Sequence, residues 1–320
     1  MTLPSLQELE DAATIVHRVI TPTPQICWPL LCERAGTEVW VKHENHTPLG
    51  AFKIRGGLVY LDQLKQRDPR VIGLIAATRG NHGQSIAFAA RREGLRAVIV
   101  VPHGNSREKN AAMRSLGAEL IESGDDFQDA YNHAAGLAHS ERLHLVPSFD
   151  FALLRGVASY ALELFRGVAD LDALYVPIGL GSGICGCISA REALGLRTEI
   201  IGVVAASAPA YARSYSAGKP EIAPVSPTVA DGMACREPNP AALEIISRHV
   251  SRIVTVDEEE IRAAMRTLFA GTHNAAEGAG AAAFAALLQE KDRMRGRRVA
   301  VILSGGNVDS EVLGRILLEP

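Results

Sequence analysis

Segment 48–57 (PLGAFKIRGG) places one lysine, Lys53, at the start of a predicted helix and between glycines. Glycine has no side chain, so a flat ligand can approach the backbone closely there. The helix dipole is positive at this end, which favours the neutral form of Lys53. A neutral lysine amine forms a Schiff base with a carbonyl compound. A lone lysine is ordinarily a solvated surface residue, so Lys53 becomes a candidate only through the segments that accompany it.

Segment 78–84 (TRGNHGQ) follows a predicted strand and opens a predicted helix. A glycine-bounded turn of this kind presents unpaired backbone N–H groups to an anion. The side-chain amide of Asn81 adds a donor for a phenolic or carboxylate oxygen. Taken alone, the segment is equally consistent with a polar helix cap.

Segment 179–186 (GLGSGICG) has the composition of a phosphate-binding loop between a strand and a helix. It also matches the dinucleotide pattern G-x-G-x-x-G, which requires an acidic residue about 20 positions later to hold the ribose. The next predicted strand ends in Val-Val-Ala-Ala at 203–206, without a carboxylate. A single phosphate therefore fits this loop better than a dinucleotide does, and a nicotinamide-dependent oxidoreductase is the weaker alternative.

Segment 304–307 (SGGN) ends another predicted strand, and the Ser304 hydroxyl can bond a ring nitrogen in the crevice where open α/β sheets bind ligands. A Schiff-base lysine, a phosphate loop, and hydroxyl and amide partners for a heteroaromatic ring together describe pyridoxal phosphate.

With segments 230–232 (ADG) and 277–280 (EGAG) added, the chain resembles the fold-type II pyridoxal-phosphate enzymes of the threonine/serine dehydratase and serine racemase family. The resemblance runs from residue 21 to the last helix. It implies an α/β fold like that of tryptophan synthase β, with two open, mostly parallel sheets flanked by helices. It also implies a large cofactor-binding domain of residues 1–45 and 152–320 and a small mobile domain of residues 46–151.

The resemblance also implies roles for individual residues. Lys53 is the catalytic residue that holds the cofactor covalently, Phe52 packs near the ring, Asn81 bonds the 3-oxygen and Ser304 the ring nitrogen. The remaining cofactor-binding positions are Gly179, Leu180, Gly181, Ser182, Gly183 and Gly232. The substrate-binding positions are Thr78, Arg79, Gly80, Asn81 and His82.

The activity implied is elimination from a β-hydroxy-L-amino acid, with L-threonine or L-serine as the default substrate, to give a 2-oxo acid and ammonia. A serine beside the ring nitrogen does not hold it protonated as an aspartate would, so prompt loss of a β-leaving group is favoured over transamination. The alternatives are a dehydratase of 3-hydroxyaspartate or an aryl-serine, an amino-acid racemase, a β-replacement enzyme, and a catalytically silent ligand-binding relative.

Three features of the sequence depart from the family pattern. Arg79 stands where serine racemase has a serine that acts as a second base, and a guanidinium is a poor base. Arg79 either binds a carboxylate, which would admit 3-hydroxyaspartate, or pairs with a surface acid. The stretch 202–210, which matches a metal-binding stretch of several relatives, contains no acid, so we predict no metal there. Leu180 and Ser182 interrupt the usual glycines of the phosphate loop.

The elements that position these segments alternate along the chain. Mostly apolar runs predict buried parallel strands at 39–41, 71–75, 97–101, 173–176, 200–204 and 299–303. Helical patterns lie between them at 84–93, 107–116 and 182–194, which predicts an α/β fold. Segment 211–240 has five prolines and little periodicity, and is predicted to be a long ordered loop beside the site.

The composition excludes several classes of protein. The 320 residues are 47% hydrophobic and 22% charged, with a formal net charge of −3, which gives no case for nucleic acid or an anionic membrane as partner. The first residues lack the features of a signal peptide, so a cytoplasmic location is the default expectation. The five cysteines include no Cys-x-x-Cys pair and are predicted to be reduced. The partners expected are a small amino-acid substrate and further copies of the chain, as a homodimer or larger homo-oligomer.

Overall fold

The structure is a computed structural model that describes residues 2–319. Within that range the strands, in chain order, are β1 Gln25–Cys27, β2 Glu38–His43, β3 Gly73–Ala77, β4 Arg96–Val101, β5 Glu119–Glu122, β6 His144–Leu145, β7 Ala173–Pro177, β8 Glu199–Ala205, β9 Arg252–Val256 and β10 Arg298–Leu303.

The α-helices are α1 Leu6–His17, α2 Pro29–Ala35, α3 Lys53–Arg67, α4 Asn81–Arg92, α5 Arg107–Ser115, α6 Phe127–Ser140, α7 Phe151–Gly167, α8 Ser182–Ala193, α9 Ala210–Ala217, α10 Pro240–His249, α11 Glu258–Thr272, α12 Gly278–Gln289 and α13 Ser310–Leu318. Two short 3₁₀ helices lie at Glu44–His46 and Asp231–Met233.

The strands form two sheets. One has six strands in the order β1-β2-β10-β7-β8-β9, and the other has four in the order β5-β4-β3-β6. Every neighbouring pair is parallel except β1 with β2. The predicted fold class, two mostly parallel sheets flanked by helices, is confirmed. Uninterrupted apolar runs form parallel strands of this kind because helices cover both faces of the sheet, so neither face of a strand requires polar side chains. Every residue of β3, for example, is buried.

The six-stranded sheet is built from two distant parts of the chain, because β10 lies between β2 and β7. Val299 of β10 pairs with Val39 of β2 on one side and with Ala173 of β7 on the other. The four-stranded sheet uses only residues between 73 and 145. Strands β2, β3, β7 and β10 end near one another in the fold, and the loops that follow β3, β7 and β10 carry predicted site residues.

Two sequence predictions need correction. The strand predicted at 71–75 begins at Gly73, because the turn after Pro69 leaves Ile72 exposed. The segment 211–240, predicted to be a loop, begins inside helix α9. The ring of Tyr211 is buried and packs this helix against the core. Residues 218–230 are irregular, as predicted for a proline-rich segment.

A buried network of four charges lies directly behind the start of α3. Arg55 donates to Glu44 through Nε at 2.7 Å and to Glu163 of α7 through Nη1 at 2.6 Å, and both Arg55 and Glu44 are 0% exposed. Lys42 of β2 donates to Glu163 at 2.6 Å. Burial opposes the ionisation of Glu163, but Arg55 and Lys42 lower its pKa to about 2. The network therefore stays ionised, and it joins α3, α7 and β2 two residues away from Lys53.

We predict that Arg55→Met lowers the free energy of unfolding by about 3–5 kcal/mol, because Glu44 would remain buried without its cation and Glu163 would keep only Lys42. Urea unfolding of the cofactor-free protein measures the change. Arg114→Met, which removes an exposed pair with Glu122, is the control and should cost a small fraction of that loss. Equal losses for the two variants would contradict the prediction.

Candidate active site

All of the predicted cofactor and substrate residues line one cavity of about 840 Å³. They are Phe52, Lys53, Thr78, Arg79, Gly80, Asn81, His82, Gly179, Leu180, Gly181, Ser182, Gly183, Gly232 and Ser304. The turns after β3 and β7, the end of β10 and the start of α3 supply most of them. The cavity thus lies at the carboxyl ends of the strands, where open α/β sheets bind ligands.

Lys53 is the first residue of α3, and its Nζ donates to the Ser182 hydroxyl at 3.0 Å. The Nζ also lies 5.0 Å from the centre of the Phe52 ring. No carboxylate within residues 2–319 pairs with the ammonium form, and burial lowers the pKa of Lys53 to about 8. A large fraction of this amine is therefore neutral and nucleophilic at mildly alkaline pH.

The Lys53 loop is bonded to the Ser304 loop through the backbone. The Phe52 N–H donates to the Ser304 carbonyl at 3.1 Å, and Ala51 forms a β-bridge with Gly305. The Ser304 side chain is 5% exposed, and its hydroxyl bonds to none of the residues that the structure describes. Its hydrogen-bonding capacity is thus open to a ligand in the cavity.

The turn before α4 leaves backbone donors open. The Thr78 hydroxyl accepts from the N–H of Gly80 at 2.9 Å and of Gly83 at 3.3 Å. Among the described residues, none accepts from the N–H of Asn81 or His82, which is the arrangement of an anion site at a helix start. Burial, and after it the charge of Lys53, lowers the pKa of His82 to about 3, so its imidazole is neutral.

The glycine loop between β7 and α8 has the shape of a phosphate-binding loop. A side chain on Gly179 would come within 2.3 Å of the Gly232 carbonyl oxygen, and Gly181 has a φ of +99°, so both positions require glycine. Within the described part of the chain, the N–H groups of Ser182 and Gly183 donate to no protein atom. The hydroxyl of Ser182, one of the predicted cofactor-binding residues, here accepts from Lys53.

Sequence reasoning missed a second lysine in the cavity wall. Lys109 of α5 donates to both carboxylate oxygens of Asp231, at 3.0 and 2.7 Å, and lies 3.2 Å from Oε2 of Glu277. Burial opposes its charge, but the two carboxylates raise the pKa of Lys109. Glu277 in turn accepts from the Asn81 amide at 2.7 Å, and burial raises its pKa. Asp231 and Glu277 fall in the quoted segments 230–232 and 277–280, whereas nothing in the sequence distinguishes Lys109 from a surface lysine.

The fold and the site together define a class of protein: an α/β enzyme with a reactive lysine, an anion-binding glycine loop and polar partners for a heteroaromatic ring. The comparisons with known proteins identify the family. Residues 16–305 match the pyridoxal-phosphate dependent enzymes, and the chain belongs to that family. The predicted membership of the threonine dehydratase and serine racemase group, and the predicted cofactor, are thereby confirmed.

Three relatives illustrate the similarity. The L-threonine ammonia-lyase of Thermotoga maritima is 33% identical over 314 residues, covering 98% of this chain and 78% of that protein. The L-threo-3-hydroxyaspartate ammonia-lyase of Saccharomyces cerevisiae is 31% identical over 310 residues, covering 97% and 95%. The solved structure of maize serine racemase has a TM-score of 0.92 and 25% identity, covering 98% of this chain and 97% of that one.

The residues present fit pyridoxal phosphate. Lys53 would provide the amine for its aldehyde, the open N–H groups of the 179–183 loop would fit its phosphate, and the free Ser304 hydroxyl would fit its ring nitrogen. Asn81 would bond the 3-oxygen with the amide that donates to Glu277 in this structure.

No helix within residues 2–319 is long and apolar enough to cross a membrane. In the same residues, no three histidine, cysteine or acidic side chains are grouped as metal ligands would be. All five cysteines are free thiols.

We predict that Lys53 of the cofactor-free protein reacts with an amine reagent at a rate that rises about 50-fold between pH 6 and pH 8 and levels off above pH 9, because its pKa is about 8. Competitive labelling with trace acetic anhydride and peptide mass spectrometry measures this rate. Exposed Lys219 is the internal control, and added pyridoxal phosphate should protect Lys53 but leave Lys219 reactive. Identical pH profiles for the two lysines would refute the prediction.

Proposed function

We propose that the protein is a pyridoxal-phosphate dependent ammonia-lyase that converts a β-hydroxy-L-amino acid, with L-threonine and L-serine as the default substrates, to a 2-oxo acid and ammonia. The observation that carries this proposal is Lys53, a half-buried lysine with a pKa of about 8 in a cavity shared with the phosphate loop and Ser304. The L-threonine ammonia-lyases among the relatives support it, because each of them aligns with most of this chain.

The bound cofactor supplies an electron sink that acidifies the α-proton of an amino acid and permits loss of a β-substituent. Lys53 Nζ is the base for that α-proton, because burial keeps a large share of it neutral and Ser182 holds it in the cavity. The open N–H groups of Asn81 and His82 bind the α-carboxylate. Ser304 is uncharged, so it hydrogen-bonds the ring nitrogen and places no negative charge beside it.

Racemisation requires a second base on the opposite face of the substrate, and Arg79 does not supply one. A guanidinium remains protonated throughout the pH range of enzymes. His82 is a neutral, buried imidazole whose Nε2 has no partner, and the low pKa of the ring makes it a weak base. These features favour elimination over the racemase alternative.

The division into domains belongs to the same proposal. Residues 46–151 contain the whole four-stranded sheet, and the cavity is lined from both sheets. Movement of this part toward residues 1–45 and 152–320 would close the cavity and exclude water. Arg236 lies 3.9 Å from Asp126 across the rim and would be one contact of the closed form. Assembly as a homodimer or larger homo-oligomer and a cytoplasmic location remain predictions.

We expect the purified protein to bind pyridoxal phosphate with a visible absorption band, and to release ammonia and a 2-oxo acid from L-threonine or L-serine. Lys53→Ala should remove the band and lower the rate of ammonia release by at least about 1,000-fold, because it removes both the cofactor's anchor and the base. Lys219→Ala, which changes an exposed lysine, is the matched control and should retain both properties.

Analysis of the products separates the alternatives. Release of a 2-oxo acid supports elimination, a D-amino acid indicates a racemase, and a substituted amino acid indicates β-replacement. A protein that stays colourless with added pyridoxal phosphate, or a Lys53→Ala variant that keeps the band, would refute the proposal.

A further inference from the structure

Arg79 differs from every other buried or half-buried arginine in residues 2–319, because its guanidinium donates no hydrogen bond and forms no ion pair there. Arg55, Arg252 and Arg266, for example, each bond two carboxylates. The other arginines without a polar side-chain partner are all exposed. Half-buried guanidinium groups in this protein are otherwise paired, so an unpaired one that lines a cavity points to an anion as its ligand.

The position of Arg79 restricts what that anion is. Arg79 lines the cavity that contains Lys53 and directly precedes the turn whose Asn81 and His82 N–H groups are open. The glycine loop that fits the cofactor's phosphate is a different segment, following β7 rather than β3. An anion bound by Arg79 is therefore expected to belong to the substrate.

The carboxylates already in the cavity do not neutralise Arg79. Asp231 and Glu277 are held by Lys109. Asp126 caps α6 and faces Arg236 at the rim, where Asp125 and Glu237 are exposed to solvent. No carboxylate within residues 2–319 therefore pairs with Arg79, which lies in the wall of the cavity beside the site proposed for the α-carboxylate.

We propose that Arg79 binds a second carboxylate, on the β-carbon of the substrate, and that the preferred substrate is an acidic β-hydroxy amino acid of the 3-hydroxyaspartate class. This inference rests on the ammonia-lyase function proposed above. The planar guanidinium donates two parallel hydrogen bonds to a carboxylate, whereas the methyl group of threonine would leave it unpaired. One relative that this chain covers almost end to end is an L-threo-3-hydroxyaspartate ammonia-lyase.

The reaction is balanced without an oxidant or a reductant. The α C–H bond and the β C–O bond break, and water leaves. The released enamine becomes an imine and takes up one water, so the net products are oxaloacetate and ammonia. Both substrate carboxylates survive unchanged, which is consistent with Arg79 and the 81–82 N–H groups serving as binding groups only.

The test compares kcat/KM of the holoenzyme for L-threo-3-hydroxyaspartate and L-threonine. We expect the wild type to prefer the hydroxyaspartate, and Arg79→Gln to lower the ratio of the two values by about 100-fold. Arg79→Lys, which keeps the charge but loses the planar fork, should restore part of the ratio. Arg213→Gln removes an exposed arginine without a described partner and is the matched control, with an unchanged ratio.

Binding without turnover gives a second measurement. Titration calorimetry should show succinate, with two carboxylates, binding the wild type at least about 10-fold more tightly than butyrate, with one, and Arg79→Gln should remove that difference. A wild type that prefers L-threonine, or an Arg79→Gln variant that lowers both kcat/KM values equally, would overturn the inference. Absence of ammonia from every amino acid tested would instead refute the proposed function, since the calorimetric comparison does not depend on turnover.

Discussion

The ion network formed by Lys42, Glu44, Arg55 and Glu163 is the constraint on which the rest of the site depends. It fixes the first turn of α3 against α7 and β2, and Lys53 lies half a turn from Arg55. Buried charges contribute little net stability compared with an apolar core, but they allow few alternative arrangements. For this protein, the network explains why a long, flexible lysine side chain begins at a fixed point on the cavity wall.

The cavity contains two lysines whose environments produce opposite effects. Lys53 faces a hydroxyl and an aromatic ring, so burial dominates and its pKa is lowered to about 8. Lys109 faces two carboxylates, so its pKa is raised in spite of burial. One lysine is therefore available as a nucleophile and base, while the other supplies a permanent charge that orders Asp231, Glu277 and, through Glu277, the Asn81 amide.

The fold class was predictable because short, continuous apolar runs such as 299–303 are typical of strands that are buried on both faces. The site segments were predictable because their glycines are required by the backbone, through a close contact at Gly179 and a positive φ at Gly181.

Contacts between residues that are distant in the sequence were not predictable. No local pattern indicates that Lys109 meets Glu277, or that the Ser182 hydroxyl bonds Lys53. The sequence also predicts a neutral Lys53 on account of the helix dipole, whereas in the structure burial lowers its pKa. The roles of the individual site residues stay predictions until they are tested.

The central place of β10 has a consequence for biosynthesis. The ribosome makes Lys53 early and Ser304 about 250 residues later, yet the two are joined through the Phe52 N–H and the Ser304 carbonyl. The last strand must insert between β2 and β7, which until then have no common neighbour. Chains are made from the N-terminus at about 5–20 residues per second. The growing polypeptide therefore exposes the edges of β2 and β7 for many seconds, and the residues predicted to bind the cofactor first meet only after β10 has been made.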